Sequence, residues 1–171
     1  MTTETRKTNL KVIILMGVTG AGKSTVGQML GDELSWTYYD SDDFHPPANI
    51  EKIAEGISLT DEDRQPWLET LQKLIHSHIE RQIPAIIRCS ALKKSYRDYL
   101  RLNNPTLQFV YLHGEPALIR KRLANRIGHF MKGNLIQSQF DALEPPIDAL
   151  TIDANVAPAD IVQMIRENLR V

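Results

Sequence analysis

Short apolar runs alternate along this chain with longer segments in which apolar residues recur every three or four positions. Five runs have the length and the β-branched or aromatic content of strands, at 10–16, 36–40, 84–89, 107–113 and 149–153. The amphipathic segments between them predict helices over 23–34, 63–81, 95–102, 116–126, 135–143 and 158–169. This order of elements predicts an α/β fold with a largely parallel five-stranded sheet.

Composition and length favour one soluble domain. The 171 residues suit a single domain over 1–171, with a polar, aperiodic arm at 1–9 that we expect to be disordered. A formal net charge of -1 provides no field for nucleic acid, and the apolar stretch at 10–18 is shorter than the roughly 20 residues that a membrane helix needs. With Cys89 as the lone cysteine and no secretory signal pattern, a cytoplasmic location is expected.

A phosphate-binding motif follows the first strand directly. The sequence GVTGAGKS at 17–24 matches G-x-x-x-x-G-K-[ST] without a mismatch, between an apolar strand and a helix. In this motif the backbone N–H groups face phosphate oxygens, Lys23 reaches the β- and γ-phosphates, and the Ser24 hydroxyl ligates Mg²⁺. We therefore expect ATP and Mg²⁺ as cofactors, with a nucleotide-contacting segment consisting of Gly17, Val18, Thr19, Gly20, Ala21, Gly22, Lys23, Ser24 and Thr25.

The position of the acidic residues argues against a motor ATPase. The third strand ends in Arg-Cys-Ser and the fourth in His-Gly, so neither has the Asp-Glu ending of such enzymes, and no Asn-Lys-x-Asp of a GTPase is present. Acids instead follow the second strand, at Asp40, Asp42 and Asp43. On a strand, Asp40 and Asp42 share one face and point into the cleft, where one holds Mg²⁺ and the other meets an attacking hydroxyl. The alternative is an acidic turn in solvent.

Basic residues late in the chain predict a lid. They are Arg120, Lys121, Arg122, Arg126 and Lys132, within a lid region at about 116–140 whose hinges we expect at Gly128 and Gly133. Arg122 and Arg126 are four residues apart and so share a helix face, from which they can neutralise charge on a transferred phosphoryl group. The alternative is a solvated basic face.

Mixed cations and hydrogen-bonding side chains predict an acceptor site. They follow the second and third strands, where an open parallel sheet binds its ligands. An acidic polyol would need such a mixture. The candidates are His45, Asn49, Lys52, Arg64, Ser90 and Lys93. For Arg64 a surface ion pair is the alternative, and for Trp67 a core position.

Four blocks in this order resemble the gluconokinase family. They are the phosphate loop, DSDDFHPPANIEKIAEGISLTDEDRQPWL, CSALKKSYRDYLR and RIGHFMKGNLIQSQFDALEPP, and the similarity covers about 10–165. The resemblance implies a three-layer phosphate-loop kinase core with a helical lid, often dimeric, that transfers the γ-phosphoryl group of ATP to the 6-hydroxyl of D-gluconate.

The same resemblance assigns roles by matching position. Asp42 faces the acceptor hydroxyl. Lys23, Asp42 and Arg126 are the expected catalytic residues, with Lys23 and Arg126 at the phosphoryl group that is transferred. His45, Asn49, Lys52, Arg64, Ser90 and Lys93 line the gluconate cleft, and Arg122, Arg126, His129 and Gln139 fall in the lid and its return. Beyond the resemblance, we expect His129 and Gln139 to contact gluconate, Arg122 to contact the nucleotide, and Ser24 and Asp40 to hold the metal. Three positions depart from the family pattern, at Ser41, Ile53 and Ser58. A fourth, Arg88 inside an apolar strand, has no explanation from sequence.

Competing functions remain at this point. A shikimate kinase also has a strand ending in acids after its phosphate loop, but it would need a different acceptor segment from FHPPANIEK. A nucleotide kinase would need a base-reading slot that is not evident. A sensor that binds ATP without catalysis is the alternative outside the enzymes.

Overall fold

The computed structural model describes residues 12–126 and 133–171, so the predicted arm at 1–9 lies outside the described part. Five strands form one sheet, β1 Val12–Met16, β2 Thr37–Asp40, β3 Ala85–Arg88, β4 Gln108–His113 and β5 Leu150–Asp153. Their order is β2-β3-β1-β4-β5, and every neighbouring pair is parallel. The predicted five-stranded parallel sheet is confirmed.

The helices are α1 Lys23–Leu34, α2 Pro47–Ala54, α3 Asp61–Glu80, α4 Lys94–Arg101, α5 Pro116–Ala124, α6 Gly133–Ala142 and α7 Pro158–Leu169. The predicted bounds of α1 and α7 are confirmed, whereas α5 ends two residues before the predicted end at 126. Helix α3 begins two residues earlier than predicted because Thr60 and Asp63 form a capping box, in which each side chain accepts the other residue's backbone N–H.

The side chains of β1 point alternately to the two faces of the sheet, and helices cover both faces. Ile13 and Leu15 belong to a buried cluster with residues of α1, α5, α6 and α7, whereas Val12, Ile14 and Met16 belong to a second cluster with residues of α3 and α4. Successive strand side chains point to opposite faces, so a fully apolar strand needs helices on both sides. The predicted α/β/α arrangement is confirmed.

The strand order places the site. Because β3 and β4 flank β1, the loop after β1 lies between the carboxyl ends of two neighbours, and β2 ends beside β3. This edge of an open parallel sheet is where ligands bind. Among the described helices, none is both long and apolar enough to cross a bilayer.

Candidate active site

The phosphate loop, residues 17–24, connects β1 to α1. Gly17 has a φ of 139°, and a Cβ atom added there would lie 2.7 Å from the carbonyl oxygen of Leu112 in β4, so the position requires glycine. Gly22 caps α1 with a φ of 98° and offers no side chain to its first turn. The first N–H groups of α1 are therefore left for an anion, as the motif predicts.

Lys23 lies inside this loop with 5% of its surface exposed. Its ammonium group donates hydrogen bonds to the carbonyl oxygens of Gly17 and Val18, each at 2.8 Å. Burial lowers the pKa of Lys23 to about 7, and the nearby charge of Arg88 acts in the same direction. The loop thus holds a cation that a bound polyphosphate would stabilise in its charged form.

The acidic segment differs from the prediction. Strand β2 ends at Asp40, and Ser41–Phe44 form one turn of 3₁₀ helix, so Asp40 and Asp42 do not share a strand face. The reason is local capping, because Asp40 Oδ1 accepts the backbone N–H of Asp42 at 2.9 Å and bends the chain there. Asp42 and Asp43 are exposed in this turn.

Arg88 links the carboxylates of Asp40 and Asp42. It is the last residue of β3 and is paired in register with Asp40 of β2. Its Nη1 donates to Asp40 Oδ2, and its Nη2 donates to Asp42 Oδ2 at 3.2 Å. Sequence reasoning left this arginine unexplained. The signal for this contact in the sequence was a single cation at the end of an apolar strand, together with the acids that end the preceding strand.

Ser41 fits the turn without the glycine of the family pattern. Its φ is not positive, so no left-handed conformation is needed there. Its carbonyl oxygen accepts the indole N–H of Trp67 at 2.7 Å, which ties the acidic turn to α3. Trp67 is 6% exposed, so it occupies the core position considered for it from sequence.

His45 and Asn49 lie beside this anchor. The imidazole of His45 stacks on Trp67, with ring centroids 4.7 Å apart and planes 12° apart. Asn49 is 3% exposed and donates to the backbone carbonyl of Asp63 at 2.8 Å, with its Nδ2 also 3.2 Å from His45 Nδ1. Burial lowers the pKa of His45, which favours the neutral ring, and a neutral imidazole can exchange hydrogen bonds with hydroxyl groups.

The predicted acceptor cations are held by acids at the start of α3. Lys52 donates to both carboxylate oxygens of Asp63 at 2.8 Å, and Lys93 donates to Asp61 at 2.8 Å. Hydrogen bonding to these lysines lowers the pKa of each carboxyl group. Sequence reasoning assigned no role to Asp61 or Asp63, because their partners are 32 and 11 residues away along the chain.

Two further acceptor candidates, Arg64 and Ser90, have other partners. Arg64 donates to the carbonyl oxygen of Leu59 at 2.6 Å and to the Tyr96 hydroxyl at 3.4 Å, rather than forming a surface ion pair. Ser90 follows β3, and its carbonyl oxygen accepts the N–H of Gly17 at 3.2 Å. The phosphate loop and the acceptor segment are therefore joined through the backbone.

Two residues predicted for the lid, Arg122 and Gln139, contact the phosphate loop. Arg122 donates to the carbonyl oxygens of Gly20 at 3.2 Å and Ala154 at 2.5 Å. Gln139, expected at the acceptor, instead pairs with Thr19 by accepting its backbone N–H at 2.7 Å and donating to its hydroxyl at 3.0 Å. The other predicted lid contact, His129, lies outside the described residues.

A cavity of about 250 Å³ adjoins the start of α1, beyond the loop. Apolar atoms and two guanidinium groups line it, which suits a flat nucleobase with phosphates nearby. The lining residues are Gly20, Ala21, Gly22, Thr25, Val26, Arg122, Arg126, Ala154, Val156, Pro158 and Ile161. Arg126 thus lies beside the predicted nucleotide position.

The two predicted metal residues differ in their fit to Mg²⁺. The Ser24 hydroxyl lies at the start of α1, where the motif requires it. Both oxygens of Asp40 accept a hydrogen bond, one from the N–H of Asp42 and the other from Arg88. No group of three His, Cys, Asp or Glu residues that could hold a metal occurs within 12–126 and 133–171.

Comparison with known proteins separates two kinase groups. The family model for shikimate kinase matches residues 19–166. The thermosensitive gluconokinase of Escherichia coli (strain K12) is 43% identical over 158 residues, which cover 90% of this chain and 84% of the relative. A gluconokinase structure from Sinorhizobium meliloti 1021 superposes with a TM-score of 0.84 at 39% identity, covering 94% of this chain and 91% of that chain.

Shikimate kinase is similar at a coarser level. The structure from Bacteroides thetaiotaomicron superposes with a TM-score of 0.70 but is 20% identical, over 94% of this chain and 99% of that chain, so it shares the fold. The gluconokinases share the sequence as well, over most of both chains. The predicted phosphate-loop kinase fold and phosphotransferase class are confirmed. This ATP-using kinase belongs to the gluconokinase family.

Proposed function

We propose that the protein transfers the terminal phosphoryl group of ATP to the 6-hydroxyl of D-gluconate and releases 6-phospho-D-gluconate and ADP. The observation that carries this proposal is the polar acceptor surface beside the phosphate loop. It combines a neutral imidazole and a buried amide with cations, which suits a polyol that also bears a carboxylate. Relatives of similar sequence and length carry the name gluconokinase.

The nucleotide half of the mechanism rests on the loop and the basic helix. The loop N–H groups and Lys23 bind the β- and γ-phosphates, while Arg122 and Arg126 neutralise charge on the transferring oxygens. Ser24 and Asp40 are the residues that would hold Mg²⁺, which would supply further neutralisation of the phosphate charge. Because Lys23 already points at the loop carbonyls, nucleotide binding exchanges its hydrogen bonds for phosphate oxygens.

The acceptor half rests on side chains after β2 and β3. Asp42 orients the 6-hydroxyl and accepts its proton during in-line attack. His45 and Asn49 contact the sugar hydroxyls, with Ser90 and His129 as further expected contacts. Lys52, Arg64 and Lys93 attract the gluconate carboxylate, which would replace Asp63 as the anionic partner of Lys52 or Asp61 as that of Lys93. Gln139 is assigned to holding the phosphate loop through Thr19.

An acceptor panel tests this function. Purified protein with Mg·ATP is assayed for ADP release with D-gluconate, shikimate, AMP or no acceptor. Gluconate-dependent ADP, together with a phosphorylated product at the 6-position by NMR, supports the proposal. Faster turnover of shikimate would favour a shikimate kinase instead. This second candidate is supported by the match to the shikimate kinase family model. ATP binding without acceptor-dependent ADP would indicate a sensor.

Three finer features belong to the same proposal. We expect a homodimer, a cytoplasmic location and a requirement for Mg²⁺. Burial raises the pKa of the Cys89 thiol to about 11, which suits a reduced cysteine. Light scattering at several protein concentrations tests the dimer, and loss of turnover with EDTA followed by recovery with Mg²⁺ tests the metal.

A further inference from the structure

We propose that Arg88 is a positioning residue for phosphoryl transfer, which fixes the Asp42 carboxylate at the acceptor and neutralises Asp40 beside the phosphate loop. This inference rests on the proposed role of Asp42. The family pattern did not lead us to expect an arginine here, and the position lies at the end of an otherwise apolar strand. Its contacts with Asp40 and Asp42 therefore call for an explanation.

The position of Arg88 in the sheet makes it central to the site. It ends β3, which lies between β2 and β1, and its Cα is in register with Asp40 on one side and Leu15 on the other. The residue after it, Cys89, donates its N–H to the Leu15 carbonyl at 3.0 Å, two residues before Gly17. The guanidinium group thus lies between the acidic turn and the phosphate loop.

The contacts on the two sides differ in strength. Arg88 and Asp40 each expose 27% of the side chain, and both oxygens of Asp40 are engaged. Asp42 exposes 63% and meets Nη2 at 3.2 Å. The Arg88–Asp40 pair is therefore the rigid part. It holds the guanidinium against Asp42, whose exposed carboxylate can meet a substrate hydroxyl while it keeps its contact with Arg88.

The charge of Arg88 also suits the reaction. Two carboxylates at the edge of a phosphate site repel a polyphosphate unless a cation lies between them. Arg88 is close enough to Lys23 to lower the pKa of that amine, after the larger effect of burial. Both cations therefore act on one region, and the site presents positive charge where phosphoryl oxygens gain negative charge.

The packing of β3 does not require a guanidinium. Ala85, Ile86 and Ile87 are completely buried, whereas Arg88 is only half-buried at the strand end. A β-branched residue suits the same strand position. The variant Arg88→Val is therefore expected to keep the fold while removing the bridge.

A double-mutant cycle tests the proposal. The variants are Arg88→Val, Arg88→Lys, Asp42→Asn and the Arg88→Val/Asp42→Asn pair, with Arg166→Gln as the matched control, since Arg166 pairs with Glu33 on the surface of α7 and α1. We expect Arg88→Val to lower kcat about 100-fold with the KM for ATP within about threefold. Arg88→Lys should recover part of kcat because the charge remains without the bidentate geometry. The control should match the wild type.

Coupling between the two residues decides the outcome. If Arg88 acts through Asp42, adding Arg88→Val to Asp42→Asn lowers kcat by less than about twofold. Full additivity, wild-type kcat in a folded Arg88→Val protein, or normal turnover by Asp42→Asn would each overturn the proposal. Circular dichroism and thermal melting identify a variant that has lost its fold, in which case Arg88→Gln replaces it in the cycle. Should another acceptor replace gluconate in the panel, the function is revised and the cycle is measured on that acceptor.

Discussion

The cations on the nucleotide side and on the acceptor side of this site have different hydrogen-bond partners. Around the phosphate loop, Lys23 and Arg122 donate to backbone carbonyl oxygens, and the helix end offers backbone N–H groups. On the acceptor side, Lys52 and Lys93 pair with carboxylates that are themselves partly exposed. Backbone groups cannot be exchanged by mutation, whereas carboxylate pairs can rearrange when a substrate anion arrives. The backbone of the nucleotide side is therefore preformed, although Lys23 exchanges partners on binding, and the acceptor side is adjustable.

The largest test of this contrast is Lys23→Ala. It removes a buried cation from the preformed side, and we expect kcat to fall by about 10²–10³-fold because charge on the transferring phosphoryl group loses its partner. Steady-state kinetics with ADP detection provides the measurement. Lys73→Ala, at an exposed position of α3, is the control. A variant that retains more than about a tenth of kcat would contradict the role of Lys23.

The next test is Asp42→Asn, at the boundary between the two sides. We expect kcat to fall about 10²-fold because the amide cannot accept the hydroxyl proton, while calorimetry shows unchanged binding of Mg·ATP. Asp43→Asn changes the neighbouring exposed acid of the same turn and serves as control. Normal turnover by Asp42→Asn would make Asp40 the next candidate for the acid.

On the adjustable side, Lys93→Met should act on KM rather than kcat. Losing one cation that attracts the acceptor carboxylate is expected to raise the KM for gluconate roughly tenfold, about 1.4 kcal/mol, with the KM for ATP unchanged. Lys94→Met is the matched control, since Lys94 pairs with Asp98 on the surface of α4. Equal effects of the two variants would remove Lys93 from the acceptor site.

The smallest expected effect is a proton linked to nucleotide binding. Burial lowers the pKa of Lys23 to about 7, so much of the free protein carries a neutral amine at pH 8, and bound phosphate would restore its charge. We expect Mg·ATP binding to take up a proton at pH 8 but little at pH 6, and its affinity to fall as the pH rises through 7. Calorimetry in buffers of different ionisation enthalpy measures this uptake. Equal uptake at both pH values, or uptake that persists in Lys23→Ala, would contradict it.

The same contrast explains what could be predicted from sequence. The phosphate loop and α1 depend on local sequence. The motif therefore predicted the loop at 17–24, and the amphipathic pattern predicted the bounds Lys23–Leu34. Contacts between distant segments were not predictable. Arg88 meets Asp40 because β3 pairs with β2 in one register, and Gln139 meets Thr19 across 120 positions.

Local capping accounts for the remaining differences. Asp40 bends the chain away from β2 by accepting the Asp42 N–H, which strand periodicity alone cannot reveal. The capping box at Thr60 moved the start of α3 into a segment that we interpreted as loop. Hydrophobic periodicity describes faces well, but short polar side chains decide where an element begins and ends.

Asp63 performs two tasks with one carboxylate, since it caps α3 and holds Lys52. A substitution there changes the helix end and the acceptor cleft together, so a lineage that shifts to a new acceptor would meet a stability penalty at this position. Lys52 lies in α2, outside the helix that Asp63 caps, and reaches that cap through the Asp63 carboxylate. Divergence in acceptor preference should therefore accumulate at Lys52 sooner than at Asp63, and directed evolution for other sugar acids can begin there.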